Sequence, residues 1–315
     1  MKKIFVAVMA MAAFAACSNE EQIAAPKGQA IAFGDAFVDN ATKAIIESNN
    51  NALTGFTVWG NVTGSGNTVA LYGDTGATVT RGAAALGQAW QCSAVRYWTP
   101  SCTYNFVAIA NHSGVTVDNS IPTKIAYTVN PNDPADLIYG SAAASTDETN
   151  LVSGNITGGN IVAFTMKHLL SRVKLSFKNG DTTDGSYSYT ITGITVNTWA
   201  KGEYTIGEQT PWAQDGSSTV DITYPAIVDP IAEGATASSA GDQLVIPGSV
   251  VSVSFTYDLN FKNTKISTGS GSGTVSGLEA GHAYNVTATL KQNKKIEFTV
   301  TSLDSWVDGS NVNVQ

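Results

Sequence analysis

The chain has 315 residues and a formal net charge of −8, with 43% hydrophobic and only 13% charged residues. This hydrophobic fraction can build real cores, which argues against disorder, and the length suits two domains. The few lysines and arginines are scattered and form no basic stripe, which argues against nucleic acid as a partner. Abundant Gly, Thr, Ser, Asn and Val, with few Glu, Lys and Leu, indicates an all-β protein.

An export signal begins the chain. Two lysines precede an apolar run over residues 4–16, the pattern of a signal peptide, and this run is too short to span a bilayer. Its end resembles a bacterial lipobox (FAAC), which predicts removal of residues 1–16, lipidation at Cys17 and attachment to the outer membrane through the lipid. Phe14 stands where such boxes usually have leucine, so cleavage by the ordinary signal peptidase is the alternative.

The first half of the mature chain shows short strand patterns and one candidate helix at residues 42–53. Cys92 and Cys102 flank a turn-forming TPS segment at residues 99–101, which predicts a hairpin closed by a disulfide worth about 2–3 kcal/mol. Two buried free thiols are the alternative. The predicted strands of this half lie at residues 31–33, 56–59, 69–72, 104–110 and 125–129.

The second half carries the clearest alternation of apolar and polar residues. It runs over residues 251–261, which predicts a strand with one buried and one solvated face. A Gly- and Asn-rich stretch at residues 154–160 predicts a domain boundary, giving an N-terminal domain over residues 44–158 and a C-terminal domain over residues 159–315. The Gly-Ser run at residues 269–273 is predicted to be a flexible turn. Further strands are predicted at residues 173–177, 187–191, 284–290 and 296–300, in antiparallel β-sandwiches.

The chain offers little catalytic chemistry. His112, His168 and His282 have no acidic or cysteine neighbour at ligand spacing, and the common nucleophile, zinc and phosphate motifs are absent. The loop at residues 130–136 could gather oxygens around calcium, but a turn stiffened by proline is the better interpretation. We therefore predict no enzyme activity, no cofactor and no metal.

The tryptophans are the remaining candidates for ligand contacts, since exposed aromatic rings on sandwich loops can stack on sugars. Trp212 follows Pro211 in a turn-rich stretch and is the tryptophan whose burial is least certain from sequence. A structural role is the alternative, and the stronger one.

Several motifs together resemble the fimbrillins of Bacteroidales, the subunits of type V pili. The resemblance spans nearly the whole chain and includes the lipoprotein signal. It rests on the order and spacing of Trp98 with YNFVA at residues 104–108, Phe164 with MKHLLSRV at 166–173, LVIP at 244–247, LEAGHAYNV at 278–286, and Trp306 with Gly309.

The resemblance implies two transthyretin-like antiparallel β-sandwich domains and polymerisation with other fimbrial subunits by donor-strand exchange. In that family an arginine-specific protease removes the first strand, which here would be residues 31–38 within a segment 17–43. The basic residue after that strand is Lys43, followed by Ala44. The next arginine, Arg81, lies too deep in the first domain to be the cleavage site. Either a lysine-tolerant protease acts, or the subunit stays uncut as an anchor or accessory.

The donor strand would be the C-terminal tail, where Val312 and Val314 alternate with polar residues. The alternative is a simple last edge strand of the second domain. The sequence therefore predicts a structural or accessory fimbrial subunit supporting adhesion to host or bacterial surface ligands. A monomeric surface lipoprotein that binds glycans or host proteins is the second hypothesis, and a hydrolase the third.

Overall fold

The structure is a computed structural model that describes residues 29–38, 55–81, 90–110, 114–132, 136–157, 161–182, 185–208, 211–293, 295–303 and 313–314. These residues form 25 strands and contain no helix, which confirms the all-β prediction. The strands of the first half are β1 (Ala32–Val38), β2 (Gly55–Gly64), β3 (Asn67–Ala70), β4 (Ala77–Thr80), β5 (Gln91–Cys92), β6 (Thr103–Ala110), β7 (Val115–Val117), β8 (Lys124–Thr128), β9 (Ile138–Thr146), β10 (Val152–Gly154), β11 (Ile156–Thr157) and β12 (Ile161–His168).

The strands of the second half continue without a helix among the described residues. They are β13 (Ser171–Asn179), β14 (Tyr187–Trp199), β15 (Lys201–Thr205), β16 (Trp212–Gln214), β17 (Thr219–Thr223), β18 (Ile227–Ala232), β19 (Thr236–Ser238), β20 (Gln243–Val245), β21 (Val251–Phe261), β22 (Thr264–Ser276), β23 (Ala283–Leu290), β24 (Ile296–Leu303) and β25 (Asn313–Val314). The predicted helix at residues 42–53 lies outside the described residues.

The first sheet has the order β1-β12-β9-β6-β2-β4-β5, with β3, β10 and β11 paired at its sides. Its inward face forms one hydrophobic core. The largest fully buried side chains of that core are Phe56, Tyr104, Phe106, Phe164 and Met166.

The second core lies between two sheets, ordered β19-β13-β23-β24 and β17-β14-β21-β22-β25, with β20 and β18 at their sides. A four-stranded sheet, β16-β15-β8-β7, joins strands from both halves of the chain. Most pairings are antiparallel, as predicted. Two are parallel and were not predicted: β1 with β12, and β13 with β23.

The predicted boundary before residue 159 does not coincide with the change of sheet. β12 lies after that boundary and pairs with β9 of the first sheet, from Thr165↔Ser141 to His168↔Ile138. After β12 the chain leaves the first sheet at Leu169 and Leu170, which are both buried in the second core. Because a Gly- and Asn-rich link can also join two strands of one sheet, composition alone misplaced the transition.

The strand predicted at residues 251–261 is observed as β21, with alternate residues buried. The Gly-Ser run that follows is wrongly predicted as a turn, since it is the middle of β22. Gly269 and Gly271 pair with Tyr257 and Phe255 of β21. A Cβ at Gly271 would lie 2.5 Å from Phe255 Cζ, so the glycines make room for aromatic rings that cross the neighbouring strand.

Candidate functional site

The first strand, β1, is the candidate functional element. It corresponds to the strand predicted at residues 31–38 and lies at one end of the first sheet, parallel to β12. The register pairs Phe33 with Val162 and, after an irregularity, Ala36 with Phe164. The backbone just before β1 pairs differently, because the Ile31 amide donates to Arg96 O at 2.8 Å. The segment is therefore part of the sheet, attached to β12 on one side and to the loop before β6 at its beginning.

The side chains of this segment complete the first core. Ile31 and Phe33 are each 4% exposed. The Phe33 ring lies 5.7 Å from the Phe106 ring and 6.4 Å from the Phe56 ring in edge-on contacts, and it stacks on Phe164 at 6.1 Å. Withdrawal of the segment would expose this aromatic cluster and the backbone groups of β12, leaving an apolar groove beside an unpaired strand edge.

The C-terminal tail pairs with the edge of a sheet that covers the second core. β25 pairs antiparallel with β22, with Val314 opposite Val275 and Asn313 opposite Ser276. This pairing is that of a last edge strand, the alternative considered from the sequence. Val312 lies outside the described residues, and the donor role of the tail stays a prediction.

The processing sites lie outside the described residues: Cys17, Lys43 and Ala44. Arg81 is only 9% exposed, and its guanidinium carbon lies 4.9 Å from the centroid of the Trp90 ring. This burial agrees with the prediction that Arg81 is not the cleavage site.

Both described cysteines are free, so the structure does not contain the predicted disulfide. The TPS segment does form a turn, with Ser101 at φ 56°. However, Cys92 lies in β5 and Cys102 precedes β6, and β4 and β2 separate these strands in the sheet. Each step between neighbouring strands is about 4.8 Å, whereas the Cα atoms of a disulfide are less than about 7 Å apart. Each thiol instead donates to a nearby carbonyl, Cys92 to Ala94 O and Cys102 to Pro100 O.

The described histidines have structural partners. His168 is buried and shares a hydrogen bond through Nδ1 with the buried carboxylate of Asp136, a pair that is 32 residues apart and so invisible to local sequence spacing. His282 Nδ1 lies 3.0 Å from Ala280 O. His112 lies outside the described residues.

The loop considered for calcium is described only in part. Asn130 Oδ1 accepts a hydrogen bond from the Asn132 amide at 3.1 Å, as in a turn. In the described part of the chain, no three His, Cys, Asp or Glu side chains gather around a common point. Within the same ranges, no helix has the length and apolar character needed to cross a membrane.

Trp212 packs against the second core and does not project from a loop. Its ring lies 5.5 Å from the Tyr204 ring and 6.5 Å from the Tyr127 ring, and its Nε1 donates to Leu169 O at 2.9 Å. Trp59 and Trp98 are buried, whereas Trp306 lies outside the described residues. The structural interpretation of Trp212 therefore accounts for its contacts, and glycan binding through this ring loses its support.

Solved structures with the same fold come from Bacteroides. A fimbrial protein from Bacteroides vulgatus is 16% identical, with 79% of this chain and 91% of that chain covered and a TM-score of 0.51. A candidate cell adhesion protein from Bacteroides ovatus is 15% identical, with 91% and 100% covered and a TM-score of 0.50. At these low sequence identities, the similarity to the two structures shows a shared fold and nothing further. Among curated proteins, no sequence matches the chain.

The profile of the fimbrillin-like family matches residues 42–306 and thus most of the chain, which includes the second core and the first core apart from Ile31 and Phe33. This family consists of fimbrial structural proteins and not of enzymes, in agreement with the prediction from the sequence. The chain belongs to the fimbrillin-like family.

Proposed function

We propose that this protein is a structural or accessory subunit of a cell-surface fimbria that assembles with other subunits by strand exchange. Family membership supports a fimbrial role. The observation that carries the mechanism is the position of β1, an edge strand near the chain start that fills an aromatic cluster of the first core. A strand from a neighbouring subunit would replace the same backbone bonds and apolar contacts once β1 has left.

In this proposal the chain is exported as a lipoprotein, anchored through Cys17 and matured by cleavage between Lys43 and Ala44. Such cleavage would separate β1 from the rest of the first domain and open the groove. Because Lys43 stands where the family has an arginine, this cleavage requires a protease that accepts lysine. Without such a protease the subunit would keep β1 and act as an anchor or accessory with a closed groove.

The C-terminal tail is the proposed donor. Its two described residues pair with only Val275 and Ser276 of β22. Release of these two residues would break few backbone hydrogen bonds, each worth about 0.5–1.5 kcal/mol, which supports a tail that can exchange between subunits. Val312 and Val314, two residues apart, would point to the same face of a groove.

The mature N-terminal residue of surface-shed protein tests the processing. Cys17 at the N-terminus would mean a lipidated subunit with β1 retained, and Ala44 would mean removal of β1. A Lys43→Gln variant should block the cut and leave Cys17 as the first residue. An unchanged N-terminus at Ala44 in that variant would contradict the proposed cleavage site.

Deletion of residues 311–315 tests the donor role. We expect the polymer ladder on a gel of unboiled surface protein to disappear, while the monomer remains folded and exported. A matched control is Asn311→Ser, which keeps both valines and should keep the ladder. An unchanged ladder after the deletion would contradict the role of the tail.

A further inference from the structure

A cleft of about 650 Å³ lies between the outer face of the first sheet and the four-stranded sheet. Strands β2, β6, β9 and β12 form its floor. Ile121, Pro122 and Ile206 form an apolar lip above the floor. The volume is in the range of sites that hold small organic ligands, about 300–1,000 Å³.

The strand register brings polar side chains together on the floor of this cleft. Asn61 of β2 lies opposite Asn105 of β6. Ser141 of β9 lies opposite Thr165 of β12, and Tyr139 lies opposite Lys167 two residues further along the same two strands. Because directly opposed residues project from the same face of a sheet, these groups face one space.

Lys167 is the only charged side chain among the described residues that line the cleft. Its ammonium lies 5.6 Å from the Tyr139 ring centroid and 5.9 Å from the Tyr204 ring centroid. The two rings hold the cation over the floor by cation–π attraction. Within the described residues it forms no ion pair with a carboxylate, so its charge remains available to an anionic group.

Three polar side chains of the cleft floor also have no hydrogen-bond partner among the described residues. They belong to Asn61, Asn105 and Thr165; the two asparagines lie opposite each other on β2 and β6, and Thr165 lies across β9 from them on β12. The two amides offer both donors and acceptors, and the hydroxyl offers one donor and two acceptor lone pairs. Such a set matches a ligand with several hydroxyl groups.

We propose that this cleft binds an acidic oligosaccharide, with the carboxylate of one unit on Lys167 near Thr165, the hydroxyls of a further unit on Asn61 and Asn105 across the floor, and an apolar sugar face against the lip. A single cation suits one carboxylate, and the net charge of −8 disfavours polyanions. A peptide fits less well while β1 is in place, because the floor strands are then paired on both sides and offer no free backbone edge for an added strand.

Titration calorimetry on the uncut chain from Cys17 onward, which retains β1, tests this site with digalacturonic acid and 3′-sialyllactose. The carboxyl-reduced disaccharide and lactose serve as neutral counterparts, and an acetylated Glu-rich peptide serves as the rival ligand class. We expect an acidic saccharide to bind, and its neutral counterpart to bind at least about tenfold more weakly, since a hydrogen bond to a charged group is worth about 1.5–3 kcal/mol.

The variants Lys167→Gln and Asn105→Asp should each weaken acidic saccharide binding about tenfold or more, the first by loss of the cation and the second by repulsion of the carboxylate. Lys178→Gln removes an exposed lysine outside the cleft and should leave binding unchanged. All three variants should keep the polymer ladder, so failure here is distinct from failure of strand exchange. Absence of acidic saccharide binding, equal binding of the neutral counterparts, binding of the peptide alone, or undiminished binding by Lys167→Gln would overturn the proposal.

Discussion

Phe33 is the residue on which the candidate site most depends. Its ring contacts three phenylalanines from three other strands, and no other described side chain of β1 is as large and as buried. We expect Phe33→Ala in uncleaved protein to lower the free energy of unfolding of the first core by about 3–5 kcal/mol. Ala32→Ser, at the exposed neighbouring position, should change it by less than about 0.5 kcal/mol. Urea unfolding followed by tryptophan fluorescence measures both, and equal effects would contradict the role of the ring.

Asp147 shows how a single turn residue makes stability depend on pH. The pKa of its carboxyl is lowered, first by the Leu151 amide and then by the hydroxyl and amide of Thr149, which donate to Oδ1 at 2.8–2.9 Å. A carboxyl whose pKa is depressed on folding stabilises the fold above its unfolded pKa, about 3.9, and this contribution is lost as the pH falls through the folded value. NMR titration should therefore place the Asp147 midpoint below 3.9.

The variant Thr149→Val removes the hydroxyl donor but keeps the amide donor. It should raise the Asp147 midpoint toward the ordinary value and shrink the loss of stability in acid. A midpoint at or above that of a free aspartate in the unmodified chain would show that the turn does not favour the ionised form.

At the scale of elements, the aromatic cluster predicts which strands the groove accepts. In protein that lacks residues 1–43, a peptide of residues 29–38 should raise the melting temperature more than a Phe33→Ala version of that peptide. A tail peptide of residues 311–315 should act more weakly still, because a valine cannot reach the rings that Phe33 contacts. Scanning calorimetry at equal peptide concentrations measures this order. A tail peptide equal to the first-strand peptide would mean that the groove does not select for an aromatic residue.

The glycines of β22 carry a second prediction at this scale. Gly271→Ala places a Cβ 2.5 Å from Phe255 and 2.6 Å from Ile296, both of which pack in the second core. Overpacking of this kind costs about 1–3 kcal/mol, whereas Ser272→Ala on the exposed face should cost less than about 0.5 kcal/mol. Chemical denaturation distinguishes them, and a neutral Gly271→Ala would show that the rings can move aside.

Strands β21 and β22 show which features of the fold a sequence pattern can predict and which it cannot. Alternation predicted β21 because burial of every second residue is a local property of one strand. The Gly-Ser run reads as a turn because glycine disfavours strands, and only the rings of the neighbouring strand explain its extended backbone. The parallel partner of β1, the pair of His168 with Asp136 and the cleft around Lys167 join residues far apart in the chain, so no local period encodes them. The cleavage site and the donor tail come from family resemblance and stay predictions.

At the scale of the whole molecule, the two cores share strands from both halves of the sequence. β8 comes from the first half, yet its Ile125 and Tyr127 are buried in the second core, and it pairs with β15 along five residue pairs from Lys201↔Thr128 to Thr205↔Lys124. The halves are therefore not separable at the predicted boundary. Cutting there would remove β7 and β8 from the core that they cover.

We accordingly expect a fragment of residues 169–315 to be markedly less stable than the second core of the full chain, with the side chains beneath β8 exposed to solvent. This fragment lacks Ile125 and Tyr127, and the loss of each buried side chain forfeits about 1.5–3 kcal/mol of hydrophobic burial, before the lost strand pairing is counted. A fragment of residues 114–315 keeps β7 and β8, and it serves as the control whose second core should unfold at higher urea. If residues 169–315 unfolded at the same urea concentration as the longer fragment, the four-stranded sheet would contribute nothing to the second core, and the boundary predicted from composition would be a workable one.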